Sequence, residues 1–259
     1  MSSSISSHAI APANVLRGHG AWGEALPLIA ALSQKPFVLG RSAATAELRQ
    51  NLKSDLEATG LSVSTGELEF DCCEQDLQRL AAEITACGSD AVLAAGGGKV
   101  LDAGKLLAYR LGLSCITVPT SAATCAGWTA LANIYSAQGA FQSDVALRHC
   151  PELLIFDHDL VVQAPARTLA SGIADAMAKW YESSVSSGSS SDGLVQQAVQ
   201  QARVLRDQLL LEGLEAIEHP GSEAWQRVAE ASGLTAGLIG GIGGARCRTV
   251  AAHAVHNGL

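Results

Sequence analysis

The sequence is poor in aromatic residues, in charge and in positive runs, and each shortage closes off a class of protein. Aromatics make up 4% of the 259 residues, so a core has to be assembled from Ala, Leu, Val and Ile. Charged residues reach only 16% against 48% hydrophobic, which excludes a disordered chain and calls for a filled interior. No basic cluster interrupts a formal net charge of −8, and this argues against nucleic acid or an anionic membrane surface as partner. No apolar stretch has the length of a bilayer span. The opening MSSSISSHAI lacks the basic and apolar regions of a signal peptide; it reads as a frayed tail of a cytoplasmic protein. Seven cysteines, an odd and irregularly spaced set without a CxxC pair, exclude a disulfide framework and read as thiols, most of them small core residues.

What is present is an alternation of strand and helix signals. Pro36 to Gly40, Ala91 to Ala95, Cys115 to Val118 and Leu153 to Phe156 are short apolar runs of the kind expected for strands covered on both faces. Leu61 to Thr65 alternates as a further strand. Residues 43–59, Asp76 to Cys87 and Val100 to Arg110 read as helices between them. Strands alternating with helices imply a parallel α/β sheet. After about residue 160 the character changes: 166–184, 194–213, 222–238 and 246–257 read as helices, with Ser183 to Gly193 as an exposed low-complexity loop. The expected organisation is an α/β domain over residues 1–162 and a helical domain over 163–259.

Between the apolar run at 91–95 and the next helix stand Gly96, Gly97 and Gly98, followed by Lys99, with Asp102 and Lys105 in the first turns. Glycines there let the backbone approach a ligand closely, and the helix start offers free N–H groups to a phosphate. The turn is not a GxGxxG fingerprint, and by itself it fits a tight turn that binds nothing. Asp175 lies among apolar residues, where a carboxylate needs a partner. His253 and His256, three apart on an expected helix, share a face. Asp and His suit a divalent metal such as zinc, although the H-x-x-H spacing alone favours a pair of satisfied histidines.

The segments GGGKVLDAGK (96–105), VPTSAAT (118–124), ALANIY (130–135), SGIADAMAKW (171–180) and AAHAVHNG (251–258) occur together and in order. This pattern resembles the glycerol dehydrogenase branch of the iron-containing, metal-dependent alcohol dehydrogenases. The resemblance implies a dehydroquinate synthase-like architecture, with a nucleotide-binding α/β domain, a helical domain and the active site in the cleft between them. It implies NAD as cofactor, with Gly97, Gly98, Lys99 and Asp102 at the pyrophosphate turn and Thr120 and Ser121 along the dinucleotide. Thr129, Leu131 and Tyr135 would approach the nicotinamide end. It implies a divalent metal, zinc by preference, on Asp175 and His253, with His256 beside it as the catalytic proton carrier.

Three departures qualify the resemblance. Arg41 follows the first strand–glycine element, where relatives often carry an Asp for the adenosine ribose. An Arg there suits the 2′-phosphate of NADP, while a solvated surface Arg is the simpler reading. Cys125 stands where glycerol dehydrogenases place an Asp beside the substrate hydroxyls, and a thiol is a weak partner for a diol. The third metal-binding His of relatives lies downstream of their HNG segment, and this sequence stops at Leu259, so the helical domain is expected to be truncated. The expected function is NAD(P)- and metal-dependent oxidation of a small alcohol or polyol by a homo-oligomer. A dinucleotide binder without turnover, or a glycerol-1-phosphate dehydrogenase or dehydroquinate synthase-type enzyme, are the alternatives. The last two would need more cations than Arg167, Lys179, Arg246 and Arg248 supply.

Overall fold

The four apolar runs form the middle of a parallel sheet. The computed structural model describes Ile5 and residues 7–247, and the following elements succeed one another in the α/β part. They are β1 (Asn14–Gly18), α1 (Ala21–Leu32), β2 (Pro36–Gly40), α2 (Ala46–Ala58), β3 (Ser64–Glu67), α3 (Glu74–Cys87), β4 (Ala91–Gly96), α4 (Gly98–Leu111), β5 (Ser114–Pro119), β6 (Leu131–Tyr135), β7 (Phe141–Ala146) and β8 (Leu153–Asp157). The main sheet has the order β1-β8-β5-β4-β2-β3, all neighbours parallel. β6 and β7 make a separate antiparallel hairpin.

Alternate residues of the central strands feed two cores, as the two-residue period of a strand requires. Phe37, Leu39, Val92, Ala94 and Cys115 pack with α3 and α4. Val38, Leu93, Ala95, Ile116 and Val118 pack with α1 and α2 on the other face. β3 lies at Ser64–Glu67, three residues later than the alternation at 61–65 suggests, because it pairs from Phe37↔Ser64 to Gly40↔Glu67. The tail is pinned at its end: the Ile10 carbonyl accepts from the Trp128 indole at 3.0 Å, and the Cys150 thiol reaches the Ala9 carbonyl. All seven cysteines are free thiols, and only Cys87 is exposed.

Beyond β8 come α5 (His158–Val161), α6 (Ala166–Ser187), α7 (Gly193–Glu218), α8 (Glu223–Glu230) and α9 (Ala236–Gly243), with a π-helical turn at Ala231–Thr235 joining the last two. The serine-rich stretch is mostly helix rather than loop. α6 runs on through Ser187, and Ser183 and Ser187 are buried, because small hydroxyl side chains fit where α6 packs closely on its neighbours. The helices share an apolar core with the sheet: Leu154 and Phe156 of β8 join Leu169, Trp225, Val228 and Ala229. No helix among the described residues is long and apolar enough to cross a membrane. The first serines and the helix expected at 246–257 lie outside the described residues, except Ile5, Ser7 and residues 246 and 247.

Candidate functional site

The sheet order creates an opening. After β2 the chain lays β3 on one side, then crosses back to lay β4 on the other. In open α/β sheets, ligands bind outside the carboxyl ends of the strands at such a reversal. Here that crevice lies between the end of β2, where Arg41 follows, and the end of β4, where the glycine turn follows. β5 completes the floor: Gly96 sits opposite Pro119, and the Thr120 N–H donates to the Gly96 carbonyl at 3.1 Å. Thr120 and Ser121 thus stand directly beside the glycines.

The start of α4 is bare. Gly97 precedes it without a side-chain cap, and a Cβ at Gly97 would meet nothing within 4 Å. A Cβ at Gly98 would come within 2.9 Å of the Thr124 methyl group, so the turn and the 120–124 loop approach too closely for a larger residue. Uncapped N–H groups and the positive end of a 14-residue helix suit an anion at this point.

Charged side chains gather in the same crevice. Lys99 is paired with Asp71, whose carboxylate is buried and also accepts from the Cys72 N–H at 2.7 Å. Arg41 donates to the Phe70 carbonyl and lies 3.8 Å from the same carboxylate. The Lys99 ammonium stands 4.5 Å from the centre of the Tyr135 ring, so these two side chains lie together. Asp71 itself is held in place by Asp76, which accepts from the N–H groups of Phe70 at 2.8 Å and Asp71 at 3.2 Å.

The structure gives Asp102 another place than the cofactor surface. It is buried, pairs with Lys105 at 3.0 Å and accepts from the Asn133 N–H at 3.1 Å. Burial pushes its carboxyl above the usual range, against the pull of Lys105 and of that N–H. The Lys105 ammonium, 1% exposed, also donates to the carbonyls of Thr129, at 3.1 Å, and Leu131, and lies 3.3 Å from the Thr129 hydroxyl. The polar groups of Thr129 and Leu131 are therefore engaged in fastening the β6–β7 hairpin to α4.

The opposite wall is α6. A Cβ at Gly172 would sit 1.8 Å from the Ala122 carbonyl oxygen, so helix backbone lies directly on the loop that carries Thr120 and Ser121. Half-buried Asp175 follows one turn later. Buried Cys125 feels both Asp175 and Lys179, and burial, the largest influence, raises its thiol pKa, leaving it neutral. His253 and His256 lie outside the described residues. Among the described residues no three His, Cys, Asp or Glu side chains converge to hold a metal; Asp175 offers one suitable oxygen ligand and does not make a site alone.

Sequence reading missed Asp71 and the anchoring role of Lys105. The i, i+3 spacing of Asp102 and Lys105 signals a pair, but their hairpin partners lie more than 20 residues away, and Asp71 carries no local pattern.

Residues 12–158 match the family model described as iron-containing alcohol dehydrogenase. The chain is 51% identical over 253 residues to an uncharacterized oxidoreductase of Synechocystis, covering 98% of this chain and 65% of that protein. It is 38% identical over 234 residues to a glycerol dehydrogenase of Escherichia coli, covering 86% of this chain and 60% of that one. The chain thus spans less than two thirds of the length of these relatives. Among solved structures, the glycerol dehydrogenase of Schizosaccharomyces pombe superposes with a TM-score of 0.85 at 27% identity, over 98% of this chain and 66% of that one. A probable glycerol dehydrogenase of Sinorhizobium meliloti gives 0.84 at 25% identity, over 97% and 70%.

Proposed function

Because the chain belongs to the iron-containing alcohol dehydrogenase family, we propose that it binds a nicotinamide dinucleotide across the β2–β4 crevice and serves hydride transfer with a small alcohol or polyol. The observation that carries this reading is the uncapped, glycine-led start of α4 at the topological switch, flanked by Lys99 and Arg41. Gly97, Gly98 and Lys99 receive the pyrophosphate, and Thr120 and Ser121 line its path. The far part of the cofactor then runs toward the wall formed by Cys125 and Asp175. Residues 1–162 carry the dinucleotide and the helices after them carry the substrate and the metal.

A bound nicotinamide ring would supply the hydride acceptor for the carbinol carbon, and the hydroxyl proton would have to be carried to solvent by a residue of this chain. We assign that proton to His256, on sequence alone. A divalent metal, zinc in this reading, lends Lewis acidity to an alcohol oxygen when bound. Asp175 and His253 are its proposed ligands. The buried neutral thiol of Cys125, with Trp128 three residues on, offers little to a vicinal diol, so the reading favours a less polar alcohol or aldehyde over glycerol. Self-association belongs to the same proposal. Val204, Leu210, Leu211 and Leu214 are exposed along the outer side of α7, and a helix apolar on two sides needs a cover. Sedimentation velocity on the chain, with the charge variant Leu211→Glu beside it, tests that.

The deciding experiment is one titration and one assay. Reduced cofactor is titrated by its fluorescence. Oxidised cofactor is then offered with glycerol, 1,2-propanediol and simple alcohols, with and without added zinc. Saturable binding and alcohol-dependent reduction are expected. Binding without reduction supports a binder without turnover instead, and absence of binding sinks the dinucleotide reading.

A further inference from the structure

The bare start of α4 attracts any phosphate, and the more strongly the more charge that phosphate carries. ADP and ATP share the adenosine and the pyrophosphate linkage of a dinucleotide. They differ in ending on a phosphate with a second ionisation at about pH 6, whereas each phosphate of a dinucleotide is a diester with a single charge. Positive groups alone therefore favour the more highly charged nucleotides. Only a negative group placed at the site can turn that order round.

Asp71 is such a group. Its carboxylate, 3% exposed, is paired with Lys99, lies 3.8 Å from Arg41 and accepts from the Cys72 N–H at 2.7 Å. The turn that carries it is held from two sides. Asp76 accepts from the N–H groups of Phe70 and Asp71 and is itself paired with Arg79 at 2.8 Å. The Cys72 carbonyl accepts from the Tyr135 N–H at 2.9 Å. The β6–β7 hairpin then closes over the pair. A Cβ on Gly139, in the turn between the two strands, would lie 3.5 Å from the Asp71 carboxylate and 3.8 Å from the Lys99 ammonium. The Tyr135 ring lies against the same ammonium. Charges enclosed between three segments act on one another more strongly than charges in open water. At this corner Arg41 and Lys99 face Asp71, so the carboxylate cancels one of the two cations.

We propose that Asp71 sets the charge this site accepts, so that a dinucleotide's pyrophosphate diester binds while nucleoside di- and triphosphates are disfavoured. The proposal rests on the dinucleotide reading above and names what that site excludes. Asp71 acts through space, by repelling the added charge and by holding Lys99 to itself. Between groups a few ångströms apart, at an effective dielectric constant of about 20, one like charge weakens binding by about tenfold or more.

The test is equilibrium titration with NADH, ADP-ribose, ADP and ATP in the absence of divalent metal. Wild type should bind ADP-ribose more tightly than ADP, and ADP more tightly than ATP. Asp71→Asn should tighten ADP and ATP by about tenfold or more but ADP-ribose by only about threefold, because the effect grows with ligand charge. Raising the salt should shrink the difference between the two proteins. Glu24→Gln, on exposed α1 surface across the sheet, changes the net charge equally and should leave the ADP to ADP-ribose ratio within about twofold. An Asp71→Asn protein with that ratio unchanged overturns the proposal and leaves the dinucleotide reading standing. One that binds every ligand more weakly also overturns it, since Asp71 would then serve to position Lys99. Failure of wild type to bind NADH and ADP-ribose overturns both. Circular dichroism shows whether the variants fold, and Asp71→Ser replaces Asp71→Asn if the latter does not.

Discussion

Lys105 carries more of the site than its position in the helix suggests. Its ammonium has three donors, and the carbonyls of Thr129 and Leu131 and the Asp102 carboxylate use them. Breaking such a buried pair strands the remaining charge, which costs more than the pair contributes. Lys105→Met should therefore lower stability by about 3–5 kcal/mol. The double variant Asp102→Asn/Lys105→Met, with no stranded charge, should recover part of that loss. Urea midpoints of wild type and both variants decide it, and a double variant no more stable than Lys105→Met would count against the pairing. Gly172 offers a second test, in which two rules disagree in sign. Inside a helix, Gly→Ala normally gains about 1 kcal/mol. Here the new methyl group would meet the Ala122 carbonyl oxygen, and overpacking against backbone costs about 1–3 kcal/mol. Gly172→Ala should thus destabilise, and it should weaken cofactor binding by shifting the loop of Thr120 and Ser121. A stabilised variant with unchanged binding would show that the contact yields freely.

Elements were legible in the sequence where burial on both faces made the pattern extreme. β2, β4, β5 and β8 are continuous apolar runs, and the structure places them at the sheet centre within a residue of the expected bounds. Other strands carry no such mark. β1, reading NVLRG, is an edge strand with mixed exposure, and β7, reading FQSDVA, is mostly exposed, so neither shows a clear apolar period. α1 contains Pro27, a residue that argues against helix when only the sequence is in view. At the site, the glycine turn was legible from its glycines and its flanking strand and helix. Asp71 was not, since its meaning comes from Lys99, 28 residues away. The short turn that presents Asp71 depends on Asp76. Burial acts to raise the Asp76 carboxyl, but hydrogen bonds from Arg79 and from backbone N–H groups more than offset it, leaving the pKa below the usual carboxylate range. With the folded value below the unfolded one, the stabilisation is fully present above about pH 4 and is lost as pH falls through the folded value. Chemical denaturation between about pH 6 and about pH 3 should show wild type losing more stability than Asp76→Asn. Parallel curves would remove Asp76 from the acid response.

At the scale of the whole molecule, the sheet and the helices that follow it are held to one another by one core. Residue 162 marks a change from alternating strands and helices to helices alone, yet the packing does not divide there. Leu154 and Phe156 from the sheet and Ala122 and Cys125 from the loop at the crevice share one apolar core with Leu169, Val195, Leu205, Trp225 and Ile239. Small residues make the contact close. At Gly233 and Gly237 a Cβ would lie 2.6 Å from the Phe156 ring and 2.5 Å from the Trp128 Cβ, respectively. A core crossed in this way cannot lose its helical half without exposing Phe156 and Trp128 to water. Each such side chain costs about 1.5–3 kcal/mol to expose. The chain should therefore unfold in one cooperative transition, not as two independent domains. The tryptophans supply the probe: Trp22 packs against the sheet with α1, while Trp128, Trp180 and Trp225 belong to the shared core. Single-tryptophan variants keeping Trp22 or Trp225 should report the same urea midpoint, coincident with that from far-UV circular dichroism. A saturating dinucleotide should raise all three midpoints together. A Trp225 signal lost at lower urea than the Trp22 signal would show that the helices open first and that the shared core does not bind the halves into one unit.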